Sequence, residues 1–138
     1  GLDTFKPVSE HDPRNHAIHS ERYRVPHGVL EQCADARRVV AVGTTSVRAL
    51  ESAATFGELE GRTRLFIHRP YDWKMVDVLM TNFHLPRTTL LLMIDAFIGA
   101  RWRTLYDTAI AEQYRFLSFG DAMLLDRRLA CPEGSAPM

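Results

Sequence analysis

The chain has 138 residues, of which 46% are hydrophobic and 25% are charged, and its 17 basic residues balance its 17 acidic ones. This is the composition of an ordinary globular protein, so it excludes a low-complexity linker and a fibrous repeat. A net charge of zero neither supports nor excludes a nucleic-acid partner. Two cysteines, Cys33 and Cys131, are too few for a disulfide framework and favour a reducing, cytoplasmic location.

The sequence carries no apolar run of membrane-spanning length and no secretory signal, so no membrane contact is predicted. It opens at Gly1 inside an alternation of apolar and polar residues that is typical of a strand. We therefore expect the chain to be a piece of a longer polypeptide.

Predicted strands and helices alternate along the chain. An extended segment over residues 16–25 leads to a helix that begins after Pro26. A buried strand at 39–42 then runs through a tight turn at Gly43 into a helix that ends at Gly57. The later elements are strands at 64–68, 76–81 and 122–125, and helices at 88–98 and from Trp102 to Ser118.

This alternation predicts an α/β fold, with a largely parallel sheet and flanking helices. Residues 1–126 would form the folded part, and residues 127–138 a disordered tail. The turns at Gly43 and Asn82 should lie at one sheet edge, where ligands bind in such folds. Asp77 and Asp121 stand near strand starts, so they should lie at the opposite edge as structural partners unless their strands run antiparallel.

The first candidate site is the turn of Gly43, Thr44, Thr45 and Ser46. Glycine permits a tight turn, and a helix N-terminus attracts a carboxylate or phosphate. On spacing alone, a helix cap by Thr45 or Ser46 is favoured over a ligand site. The lysine and second glycine of a Walker motif are missing. Arg48 follows in the first helical turn, where a cation is unfavourable, so a specific anionic partner is expected from the protein or from a ligand.

The second candidate site is the turn of Asn82, Phe83 and His84. Asn82 and His84 offer donors and acceptors to a base or amide, and Phe83 offers a stacking surface. His84 titrates near neutrality and suits acid or base chemistry. The alternative makes Asn82 a turn residue, Phe83 a core residue and His84 a satisfied, partly buried side chain. The sequence does not decide between these interpretations.

A third cluster contains His11, His16, His19 and Glu21. Its spacing fits no standard metal motif, so no metal site is predicted. A role for His19 and Glu21 in substrate binding or in pinning a loop is the favoured interpretation.

Five strings occur together in one order: GLDTFKPV (1–8), HSE (19–21), AVGTTSVR (41–48), TNFHLP (81–86), and YRF followed by GDAM (114–116 and 120–123). Together they resemble the carboxyl-terminal part of the S-adenosylmethionine:tRNA ribosyltransferase-isomerase family of queuosine biosynthesis. The sequence departs from the family pattern at Asp3, where glycine is usual, at Arg69-Pro70, where Pro-Gly is usual, and at Asp95, where serine is usual.

The resemblance implies an α/β catalytic domain that carries an inserted β-barrel. Full-length members are more than twice as long as this chain. The chain would therefore be the carboxyl-terminal part of the α/β domain, without the barrel and without the amino-terminal part. The full-length protein is expected to be a cytoplasmic monomer.

The resemblance also implies a reaction. The ribosyl group of S-adenosylmethionine is transferred to 7-aminomethyl-7-deazaguanine in tRNA and isomerised to give epoxyqueuosine, and adenine and methionine are released. S-adenosylmethionine is then a co-substrate, tRNA is the partner, and no cofactor or metal is expected.

Carried onto this chain, the resemblance suggests roles for the candidate residues. The Gly43–Ser46 turn with Arg48 would hold the methionine carboxylate or a tRNA phosphate. Asn82 and His84 would contact adenine or the modified base, with His84 as the acid or base, and Phe83 would belong to the substrate-binding residues. His19 and Glu21 would complete the catalytic pocket. Two alternatives stay open: an inactive nucleotide- or tRNA-binding fragment, and a hydrolase with a metal on His16 and His19.

Overall fold

A computed structural model describes residues 20–129. Helices and strands alternate along this part of the chain, as the sequence predicts. In chain order they are β1 (Glu21–Arg24), α1 (Val29–Asp35), β2 (Val40–Val42), α2 (Thr44–Phe56), β3 (Glu60–Thr63), β4 (Val78–Asn82), α3 (Thr89–Ile98), α4 (Arg101–Ala111) and β5 (Ala122–Asp126), followed by a 3-10 helix at Arg127–Leu129.

The described strands form two sheets. One has the order β2-β4-β5, with β2 parallel and β5 antiparallel to β4, and the other pairs β1 with β3 antiparallel. The α/β class is confirmed, but within residues 20–129 only the β2–β4 pair is parallel. The predicted largely parallel sheet is thus a mixed one in this part of the chain.

The antiparallel direction of β5 changes the position of Asp121. Asn82 at the end of β4 is in register with Ala122 at the start of β5, so Asp121 lies at the same edge as Asn82. The exception stated for antiparallel strands therefore applies to Asp121, whose carboxylate accepts the Arg115 backbone N–H.

Asp77 lies at the opposite edge as predicted, because its strand β4 runs parallel to β2. Its carboxylate accepts the backbone N–H of Val39 at 2.8 Å and a guanidinium N–H of Arg127 at 3.2 Å. Asp77 thereby joins the starts of β2 and β4 to the chain that follows β5, which is a structural role.

The core lies on one face of the three-stranded sheet. Ala41, Leu79 and Leu125 are in register across the sheet and are buried against α2 and α3. On the other face the next row, Val42, Met80 and Leu124, is exposed. The described helices thus cover a single face of this sheet.

Two predicted elements are misplaced. The strand predicted at 64–68 lies instead at 60–63; residues 64–68 have no regular secondary structure, although Ile67 is buried in the core. The helix predicted to end at Ser118 ends at Ala111. Gln113 adopts a left-handed φ of 61°, so the chain leaves the helix and packs Phe116 on the core.

Glu51 of α2 is a fully buried carboxylate. It accepts the backbone N–H groups of Lys74, Met75 and Val76 at 3.0–3.3 Å and the hydroxyl of Tyr71 at 3.3 Å. Burial, and next the charge of Glu51, raise the pKa of Tyr71. Glu51 therefore ties α2 to the segment that enters β4.

Two of the departures from the family pattern bind each other. The Arg69 guanidinium makes a two-pronged ion pair with Asp95 at 2.6 and 2.9 Å, and the Trp102 indole N–H donates to the same carboxylate at 2.8 Å. The Asp95 carboxylate thus accepts hydrogen bonds from Arg69 and Trp102. None of these three residues belongs to the turns at Gly43 and Asn82.

Candidate functional site

A cleft of about 560 Å³ opens where β2 and β4 end. Its walls come from the turn after β2, the turn after β4, the start of α3 and a loop before β5; the lining residues are Gly43, Thr44, Thr45, Thr81, Asn82, His84, Leu85, Thr88, Leu90, Leu117 and Ser118. Because β2 and β4 are parallel, their carboxyl ends meet, and the predicted meeting of the two motifs at one edge is confirmed.

The turn after β2 places the start of α2 on the cleft. Gly43 has φ 89° and ψ 149°, a conformation that favours glycine, and its N–H donates to the Met80 carbonyl at 2.8 Å. The helix begins at Thr44 without a side-chain cap, and the Ser46 hydroxyl donates backward to the Val42 carbonyl. The cap by Thr45 or Ser46 that spacing favours is therefore wrong. The positive end of the α2 dipole faces the cleft instead.

Arg48 and Glu21 lie outside this cleft and bind each other. Arg48 Nη1 lies 2.6 Å from Glu21 Oε2, and their side chains are only 5% and 14% exposed. Burial lowers the pKa of Arg48, an effect that Glu21 opposes. The anionic partner expected for Arg48 is thus a carboxylate of the protein. The roles predicted for Arg48 in holding a ligand anion and for Glu21 in catalysis stay predictions: only Nη1 of Arg48 is paired with Glu21, and its Nε and Nη2 are buried without a hydrogen-bond partner among residues 20–129. His19 lies outside the described residues.

Asn82 and Phe83, at the end of β4, have side chains in different environments. The exposed Asn82 lines the cleft, and its amide donates to the Asp121 carbonyl at 3.1 Å. Phe83 is only 2% exposed and stacks on Phe116 with ring centroids 5.1 Å apart. The predicted stacking of Phe83 on a substrate ring is corrected to a core role, since its face is already covered.

His84 is a buried residue on the cleft wall. Its Nε2 lies 3.0 Å from the Thr81 hydroxyl, and its backbone N–H donates to the Tyr106 hydroxyl at 2.8 Å. Burial lowers the pKa of His84 to about 4. The imidazole is therefore neutral near pH 7, which weighs against its use as a general acid there.

Several residues of the cleft were not predicted from the sequence. Thr81 and Thr88 flank the second motif, and Thr88 caps α3 by accepting the Leu91 N–H. Leu117 and Ser118 lie between the two parts of the last string (114–116 and 120–123), which carried the resemblance but was given no role. Arg87 and Leu117 have left-handed φ angles of 60° and 57°. Non-glycine residues rarely hold this conformation, and such strain is typical of functional sites.

Protonation of His84 should destabilise the fold in acid. Its folded pKa of about 4 lies below its ordinary value of 6.5. Between these values the unfolded chain binds more protons, so this stability is fully present above pH 6.5 and is lost as pH falls towards 4. We expect a loss of about 2 kcal/mol from this group between pH 7.5 and pH 5.

Urea unfolding at both pH values measures this loss. The His84→Gln variant should lose about 2 kcal/mol less than the wild type between the two pH values. His68→Gln is the matched control, because His68 bonds only its neighbouring Arg69 carbonyl among the described residues. Equal pH dependence of the wild type and His84→Gln would contradict the assignment.

Two further findings concern metals and membranes. Within residues 20–129, no group of three or more His, Cys, Asp or Glu side chains is placed to hold a metal ion. In the same part of the chain, every helix is too short or too polar to cross a membrane. The alternative metal site on His16 and His19 lies outside the described residues and stays a prediction.

The fold and cleft define a class of protein: an α/β protein that presents a helix N-terminus and polar turn residues at the carboxyl ends of parallel strands. A family model described as "Queuosine biosynthesis protein" matches residues 1–125. The chain belongs to this family.

Individual relatives agree with this assignment. The S-adenosylmethionine:tRNA ribosyltransferase-isomerase of Thermus thermophilus is 56% identical over 135 residues, covering 91% of this chain and 39% of that protein. That of Rubrobacter xylanophilus is 52% identical over 126 residues, covering 91% and 38%. The crystal structure of the S-adenosylmethionine tRNA ribosyltransferase of Thermotoga maritima matches with a TM-score of 0.70 and 47% identity, over 75% of this chain and 39% of that one. The chain thus spans about two fifths of the length of these relatives.

Proposed function

We propose that this chain is the carboxyl-terminal part of the catalytic domain of a tRNA-modifying enzyme. The enzyme would transfer the ribosyl group of S-adenosylmethionine to 7-aminomethyl-7-deazaguanine in tRNA and isomerise it to give epoxyqueuosine, with release of adenine and methionine. S-adenosylmethionine is a co-substrate, and the reaction takes place in the cytoplasm. The fuller domain would carry the family's more extended sheet and its inserted β-barrel.

The single observation that carries the proposal is that two of the five family strings form one cleft. Gly43, Thr44 and Thr45 face Asn82 and His84 across the edge at which β2 and β4 end. The volume of about 560 Å³ falls within the range of small-molecule sites, about 300–1,000 Å³. The separation of these residues in sequence, and their meeting in space, favour a shared ligand.

The chemistry of the cleft suits parts of S-adenosylmethionine. The start of α2 offers backbone N–H groups and the positive end of a helix dipole, which stabilise a carboxylate such as that of the methionine moiety. Asn82 and the neutral His84 offer hydrogen bonds to a purine or to the modified base. Arg48 is given no direct part, because it does not line this cleft and its Nη1 is paired with Glu21.

A chimaera tests the proposal. In the Thermus thermophilus relative, the matching 39% of the protein is replaced by this chain. We expect the chimaera to release adenine from S-adenosylmethionine in the presence of substrate tRNA, and to release none without tRNA. A folded chimaera that binds tRNA without releasing adenine would support the alternative of an inactive binding fragment.

A further inference from the structure

The Thr81–His84 contact joins two buried cleft residues. Thr81 Oγ1 lies 3.0 Å from His84 Nε2, and the residues are 6% and 5% exposed. A neutral imidazole carries one ring proton, so one of its nitrogens donates and the other accepts. The direction of this one hydrogen bond therefore decides which nitrogen carries the proton.

The number of available protons indicates that direction. Among residues 20–129, the only hydrogen bond of the Thr81 hydroxyl is the one to His84. If Nε2 donated, the hydroxyl's own proton would have no acceptor among residues 20–129, at a side chain that is only 6% exposed, and an unpaired donor in such a place is unfavourable. If the hydroxyl donates to Nε2, that donor is satisfied and the ring proton sits on Nδ1, which is not among the buried unpartnered atoms of residues 20–129 and can therefore bond to water or a ligand in the cleft.

The position of the histidine backbone is fixed independently. The His84 N–H donates to the Tyr106 hydroxyl at 2.8 Å, and Tyr106 is itself buried in the core. The backbone that carries the ring is therefore held in place, and His84 is one of the residues that line the cleft. Nδ1 makes no hydrogen bond to any residue between 20 and 129.

We propose that Thr81 is a positioning residue, which donates its hydroxyl proton to Nε2 of His84 and fixes the ring as the Nδ1–H tautomer. His84 then offers a hydrogen-bond donor to an acceptor lone pair of the substrate. This departs from the acid-or-base role suggested by the family resemblance, because the lone pair of Nε2 is already engaged. The nature of the substrate rests on the proposed function, but the tautomer does not.

Long-range ¹⁵N–¹H NMR of the ¹⁵N-labelled chain at pH 7.5 reads the tautomer directly. The His84 ring is assigned by the loss of its signals in His84→Gln. We expect a proton-bearing nitrogen at Nδ1 and a lone-pair nitrogen at Nε2. A proton on Nε2 in the wild type would overturn the proposal.

Two variants separate positioning from packing. Thr81→Val keeps the shape and loses the hydroxyl, so the ring should shift towards the Nε2–H form, which free imidazole side chains prefer. Thr81→Ser keeps the hydroxyl and should restore the wild-type pattern. A Thr81→Val ring identical to the wild type would overturn the proposal, and if that variant does not fold, the wild-type tautomer decides alone. The measurement uses neither tRNA nor S-adenosylmethionine, so its failure is distinct from failure of the chimaera.

Discussion

Replacing His84 with alanine in the chimaera should lower kcat for adenine release by about 10²–10³-fold, the usual effect of deleting one well-placed hydrogen-bond donor from an active site. His84 lines the cleft, and its backbone is held by Tyr106, so the ring has a defined place relative to a bound substrate. The loss should fall on kcat more than on KM, because a donor that meets developing charge acts mainly in the transition state.

The control is His68→Ala, since His68 lies outside the cleft and bonds only the adjacent carbonyl of Arg69 within the described chain. Its activity should stay within a few-fold of the unsubstituted chimaera. Unfolding curves of both variants show whether the fold is intact. Turnover of the His84→Ala chimaera within threefold of the parent would remove His84 from the reaction.

Local patterns predicted most of the fold. The β-branched run before Gly43 and the helix after it occur at β2 and α2, because an apolar run and a glycine turn are encoded by adjacent residues, but β2 is buried only at Ala41 and not throughout as predicted. The direction of β5 was not predictable in this way. Pairing with β4 depends on the path of the intervening helices, and that path is set by long-range packing. Only the structure therefore shows that the exception for antiparallel strands applies to Asp121.

The sequence predicted which residue types belong to the candidate site, but not which residues of the protein those side chains contact. The side-chain chemistry of Arg48, Phe83 and His84 was compatible with a ligand, and only the structure shows that Arg48 pairs with Glu21 and that Phe83 stacks on Phe116. A pairing such as Glu21–Arg48 joins residues 27 positions apart, and nothing in either local sequence specifies it. The Arg69–Asp95 pair follows the same logic: each departs from the family pattern, and the two are complementary only in three dimensions.

Glu51 is the strongest case of this kind, because nothing in the local sequence distinguishes it from a surface glutamate of an amphipathic helix. A fully buried carboxylate is tolerated only where hydrogen bonds replace its hydration, and here three consecutive backbone N–H groups and the Tyr71 hydroxyl do so. The three N–H groups belong to residues just before β4, where pairing with β2 has not yet begun. The Glu51 carboxylate therefore accepts hydrogen bonds that no neighbouring strand accepts there.

Substituting Glu51 with alanine should therefore lower the free energy of unfolding by about 3–5 kcal/mol, since it leaves buried backbone donors unpaired. Glu51→Gln retains one acceptor oxygen but turns an amide NH₂ towards N–H groups, so we expect a smaller loss of about 1–3 kcal/mol. Glu112→Ala, at the exposed end of α4, should change stability by less than about 0.5 kcal/mol. Urea denaturation of the three variants measures the series. A loss below 1 kcal/mol for Glu51→Ala would mean that water replaces the carboxylate, and that the link between α2 and the entry to β4 contributes little to the fold.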